Sequence, residues 1–203
     1  MRPLQGTATG ALVAAEIFVV LRLRPLWWWA AWPPLWGVQL FGPRHAVALA
    51  MLAGWALLLD VFARAGLRDH EHRTLELVGT APGAHRRLLV ARAAMCVGLA
   101  WLAAAPGLLH ESFAHPAVTT SACVIAASFA LWGLACAALT RSSRPFEFLF
   151  IAAAYATTQG LPWLDAAARG NAVAATHAAG LVIAVSILAL SLQADRRGMP
   201  RAP

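Results

Sequence analysis

Residues with side chains suited to chemistry are sparse in this chain. The densest group is Asp69-His70-Glu71-His72, with His85 further along. Carboxylates and imidazoles in such a group are metal ligands by type. The group lacks the HExxH spacing that puts two histidines on one helix face, and adjacent residues on a helix point different ways, so no metal site is expected. A catalytic set would have to draw on Asp60, Glu147, the Thr157-Thr158-Gln159 run and His177. No recognisable spacing joins these as nucleophile, base and orienting group, and no catalytic residue is assigned. Cys96, Cys123 and Cys136 fall in apolar runs without a CxxC pair or partnering histidines and read as small packing residues. A GxxxxGK[ST] phosphate loop is absent, as is lysine altogether. The chain is therefore not expected to be an enzyme.

The elements that hold these residues are those of a membrane protein. Of 203 residues, 60% are hydrophobic, and the mean hydropathy is +0.64, which leaves too little polar surface to cover a soluble globule. The formal charge of +7 arises from arginine, and the arginines lie between apolar runs. Orientation in a bilayer explains them better than nucleic-acid binding, and no nucleic-acid partner is expected.

The apolar runs place six transmembrane helices at about 26–41, 46–63, 88–109, 117–140, 146–163 and 172–192. The run from Ala11 to Val20 resembles a signal-peptide core, but Glu16 interrupts it and Leu21 to Arg24 follow, so cleavage is not expected. At 1.5 Å per residue it is too short to cross about 30 Å of hydrocarbon, and it reads as an interfacial helix over 8–24. Trp27, Trp28, Trp29, Trp32 and Trp36 crowd the first span, where Pro33 and Pro34 are expected to kink it. Headgroup anchoring is the plainer reading of these tryptophans and an aromatic substrate-binding wall the sharper one. Asp60 and Arg64, at i,i+4 spacing, are expected to neutralise one another. Pro145 and Glu147 suit the first turn of the fifth span. His177 is expected to bond to a neighbouring helix, and Thr157, Thr158, Gln159 and His177 are candidates for a translocation path.

Counting arginines by side puts Arg2, Arg22, Arg24, Arg64, Arg68, Arg73, Arg86, Arg87, Arg92, Arg141, Arg144, Arg196, Arg197 and Arg201 on one face and only Arg44 and Arg169 on the other. The positive-inside rule then gives an all-α, single-domain bundle with both termini in the cytoplasm. The polar stretch 67–92 is cytoplasmic on the same count, and its segment 67–87 presents charge and apolar surface together. Asp69 is placed to cap a helix running to about Val78, Gly79 to Gly83 form a turn, and the third span's helix starts at Ala84 with Arg86 and Arg87 at its foot.

Glu71, Arg73-Thr74-Leu75-Glu76-Leu77 and Pro82, followed by arginines and Leu88-Leu89, resemble the cytoplasmic link between the second and third spans of ATP-binding-cassette exporter permeases of the type-2 class. The residue-level resemblance covers about 71–89, and the layout of interfacial helix plus six spans extends it over nearly the whole chain. The family carries Thr directly before the proline, where this chain has Ala81 with Thr80 one position early. The resemblance implies a multi-pass permease subunit of an ABC transporter in the bacterial cytoplasmic membrane. Glu71, Thr74, Leu75 and Glu76 would then lie in a coupling helix that contacts a separate ATPase subunit, which binds ATP and Mg. It also implies a second permease copy, as homodimer or paralogue, surrounding membrane lipid, and no cofactor in this chain. The alternative is a membrane scaffold or sensor subunit whose stretch 67–92 recruits another cytoplasmic partner.

Overall fold

The apolar runs fold as helices, and arginine, glycine and proline mark the turns between them. The computed structural model describes residues 8–71, 83–114, 116–161, 164 and 171–196. Its elements are α1 (Ala8–Arg22), α2 (Leu26–Phe41), α3 (Arg44–Leu57), α4 (Leu59–Ala65), α5 (Arg68–Glu71), α6 (Ala84–Ala114), α7 (Pro116–Thr140), α8 (Arg144–Thr158) and α9 (Asn171–Arg196). No strand occurs among the described residues.

Three helices are long and apolar enough to cross a membrane, over Ala84–Ser112, Val118–Thr140 and Val173–Gln193. They coincide with the third, fourth and sixth expected spans. The second expected span is broken rather than continuous: α3 and α4 pass the same test together but meet at a 44° bend. The bend lies at Leu58, whose N–H turns back to the Trp55 carbonyl at 3.1 Å, while the Leu57 carbonyl accepts a hydrogen bond from Trp28 Nε1 at 3.0 Å. A tryptophan from α2 thus satisfies a carbonyl at the break.

The first and fifth expected spans form helices too short to cross on the same criterion. α2 has 16 residues with Pro33 and Pro34 inside it, and at 1.5 Å per residue reaches only about 24 Å. α8 has 15 residues and stops short of the expected 163. Its end is a Schellman cap: Gly160, at φ +93°, donates to the Thr157 carbonyl, and Leu161 donates to the Ala156 carbonyl at 3.0 Å. Gly160 followed by Pro162 was the sequence signal for that stop. At the other end of α8, Pro145 and Glu147 occupy the first turn as expected.

α6 runs past its expected end at 109, through Ala114 and across Pro106. The buried amide of Gln39 explains how. Its Nε2 donates to the Ala103 carbonyl at 3.0 Å, and its Oε1 accepts from the Gly107 N–H at 3.1 Å, the two groups that an uninterrupted helix pairs with each other. His110 Nδ1 at 2.9 Å from the Leu40 carbonyl, and Arg44 at 3.6 Å from Glu111, then hold the last turns of α6 to α2 and α3. Residues 110–112 are helix, not connection.

α7 is the centre, packed by α6, α9, α4 and α8. Its Phe129 gathers Phe62, Phe146 and Phe150, with ring centroids 5.4, 5.0 and 4.6 Å away. Gly133 lets α7 meet α4, since a Cβ there would lie 2.7 Å from the Phe62 carbonyl oxygen. Small residues let helices approach where both sides are as apolar as lipid.

Candidate functional site

The structure's most constrained polar group lies where the polar stretch joins the bundle. α5 immediately follows α4 and carries Arg68 and Asp69, α6 carries Arg92 about two turns from its start, and α1 carries Glu16 midway. Arg92 forks onto Asp69, with Nη1 to Oδ2 and Nη2 to Oδ1 both at 2.8 Å. Its Nε reaches Glu16 Oε1 at 3.2 Å, and Glu16 Oε2 accepts from Arg68 Nη1 at 2.7 Å. Because Arg68 and Asp69 are chain neighbours, the four side chains close a ring joining α1, α5 and α6.

The ring holds two positive and two negative charges and is nearly dry: the Arg92, Asp69 and Glu16 side chains are 8%, 9% and 12% exposed. Removing such charges from water costs several kcal/mol each, and only close, well-hydrogen-bonded partners offset that. The planar guanidinium of Arg92 meets the carboxylate geometry of Asp69 in a way a lysine ammonium does not. A small cavity of about 40 Å³ opens beside Asp69 and Arg92, bounded also by His85 and Ser191.

Asp69 thus serves as an ion-pair partner within α5 rather than as the cap of a longer helix. Glu71 is the last residue of α5, while Thr74, Leu75 and Glu76 lie outside the described residues. Asp60 pairs with Arg24 Nη1 at 2.7 Å, which replaces the Asp60–Arg64 pairing expected from helical spacing. The α3–α4 bend and the turn before α2 bring Arg24 to Asp60 from a part of the chain that local spacing does not address. Among the described residues no group of three or more His, Cys, Asp or Glu is placed to hold a metal ion.

The candidate path residues separate. Thr157 donates to the Ala153 carbonyl at 2.8 Å and accepts from the Leu164 N–H at 3.0 Å, tying the chain after α8 back onto that helix. Thr158 bonds to the Tyr155 carbonyl at 2.7 Å and is exposed, and Gln159 is the exposed C-cap. His177 lines a groove of about 400 Å³ between α7, α8 and α9, with Nδ1 3.4 Å from Ser128 Oγ on α7. That contact is the inter-helix bond expected of it.

The tryptophans of α2 also divide. Trp28 and Trp32 are buried, whereas Trp27 and Trp29 are exposed. The inner pair packs edge-on at 5.3 Å and belongs to the core. Sequence reasoning passed over Glu16, Arg68, Arg92 and Gln39 as partners. Their common signal was a charge or amide inside or beside an apolar run, which a folded chain must pair. No family model, curated protein or solved structure matches this chain.

Proposed function

We propose that this chain is the membrane-spanning permease subunit of an ABC exporter in a bacterial cytoplasmic membrane. In this reading six spans have both termini inside, α1 lies at the cytoplasmic interface, and a separate ATPase docks on the segment around Glu71, Thr74, Leu75 and Glu76. The observation that carries the proposal is the charged ring: a segment that receives force must be anchored at its base to the elements that move. Residues 72–82 leave the bundle directly after α5 and return at α6, and the ring fastens α5 to both α6 and α1. A push on the segment would therefore displace α6 as a rigid lever and carry α1 with it, without passing through a flexible joint. The partner supplies the chemistry of ATP and Mg, and a second permease copy, identical or paralogous, completes a path between two bundles.

The test is co-purification. Expressed with the ATPase encoded beside it, the tagged permease retains that ATPase, and Glu76→Arg releases it without altering the permease's elution in detergent. Retention unaffected by the charge reversal, or no ATPase on the wild-type chain, would overturn the docking assignment. Retention of a cytoplasmic protein lacking a nucleotide-binding fold would favour a scaffold or sensor subunit instead.

A further inference from the structure

The groove around His177 is the largest cavity in the described structure, at about 400 Å³, within the range of small-molecule sites. It exists because α8 and α9 both rest on α7 while barely touching each other among the described residues. Phe129 and Phe150 form its apolar depth, and Ala153 keeps the α8 wall low. Gly180 lets α9 close on α7, since a Cβ there would lie 3.1 Å from Trp132 Nε1 and 3.4 Å from Ser128 Oγ.

Two properties choose the occupant. First, no Asp, Glu, Lys or Arg occurs among the described residues lining the groove, while Ser128, Thr176 and His177 gather hydroxyls and an imidazole on one part of its wall. A charged head would lose its hydration there and find no counter-ion, whereas an uncharged hydroxyl or ester can exchange hydrogen bonds with that group. Second, the outer faces beside the groove are apolar, with Phe148 and Ile151 exposed on α8 and Val182, Ile183 and Val185 on α9, a helix long enough to span. Its mouth is flanked by surfaces that suit hydrocarbon, so the occupant arrives from the membrane.

We infer that this groove binds an uncharged single-chain amphiphile from the bilayer, its alkyl chain against Phe129 and Phe150 and its hydroxyl- or ester-bearing head beside His177 and Ser128. The inference goes beyond the exporter reading, because binding by the isolated chain requires no ATPase, and the two fail in separate experiments.

The test uses the purified full chain in phospholipid nanodiscs with a monoacylglycerol carrying a diazirine in its alkyl chain. Photolysis gives saturable adducts on the groove face of α8 and α9, around Ala153, that unlabelled monoacylglycerol removes and lysophosphatidylcholine does not. Ala153→Trp, which fills the groove, lowers labelling about tenfold, a loss of 1.4 kcal/mol in affinity. Leu149→Trp, at the more exposed rim, provides a second block should the first variant fail to fold. His177→Leu weakens competition by monoacylglycerol while the protein still elutes as folded. Non-saturable labelling spread equally over the outer face of α9, equal competition by lysophosphatidylcholine, or labelling indifferent to a folded blocking variant would each overturn the inference.

Discussion

Four side chains decide whether the cytoplasmic stretch is held or loose. Arg92 carries three of the ring's hydrogen bonds, two to Asp69 and one to Glu16. Its replacement leaves two carboxylates in a nearly dry site. Arg92→Ala is expected to destabilise the fold by about 3–5 kcal/mol, the cost of breaking a buried pair by removing one partner. Arg92→Lys restores the charge without the fork and should recover only part of that. Asp69→Asn combined with Arg92→Gln should lie closer to wild type than Arg92→Ala, because neither charge is then stranded. Reversible unfolding in mixed micelles measures all three. A wild-type stability for Arg92→Ala would mean that the ring makes no net contribution. Gln39 illustrates the same rule for neutral groups: one buried amide serves both the acceptor and the donor beside Pro106, allowing α6 to continue where a proline would otherwise break it.

At the scale of elements, α7 organises the bundle by how closely its neighbours approach. Gly133 and Gly98 make a matched pair of tests. A Cβ on Gly133 would meet the Phe62 backbone at 2.7 Å, whereas one on Gly98 meets nothing within 4 Å. Gly133→Ala is expected to push α4 from α7 and cost about 1–3 kcal/mol, the range for overpacking a tight contact. Gly98→Ala, in the interior of α6, should be neutral or stabilising by up to about 1 kcal/mol, since alanine fits a helix better than glycine. Thermal melts in detergent read both, and equal effects would contradict the close contact of α4 with α7. The short α8 belongs to the same scale. Its Schellman cap stops the helix at Thr158, and Thr157 then spends its hydroxyl on the turn that follows.

For the whole molecule, the arginine asymmetry predicts which side each turn faces. In a variant without Cys96, Cys123 and Cys136, Arg86→Cys should react with a membrane-impermeant maleimide only after the cells are opened. His45→Cys should react in intact cells. The reverse pattern would invert the topology, and equal reaction at both positions would remove the assignment of sides. Both reporters are suited to the test: Arg86 and His45 are exposed, at the start of α6 and of α3.

Residue order alone determined the all-helical architecture and the positions of its long helices. Runs of about twenty apolar residues admit little else, and their Gly, Pro and Arg boundaries are local signals. The spans expected at 88–109, 117–140 and 172–192 emerge as α6, α7 and α9 with ends shifted by a few residues. The start of α6 at Ala84, the helix opened by Pro145 and Glu147, and the inter-helix contact of His177 were legible for the same reason. Only the tertiary structure decided who pairs with whom. Asp60 bonds to Arg24, 36 positions away, instead of the Arg64 that helical spacing offers. Arg92 reaches Glu16 across 76 positions, and Gln39 reaches Gly107 across 68. A charge in an apolar run announces that a partner must exist, because burying it alone is costly. Which partner it finds depends on helix crossings and bends, such as the one at Leu58, that no local pattern of side chains encodes.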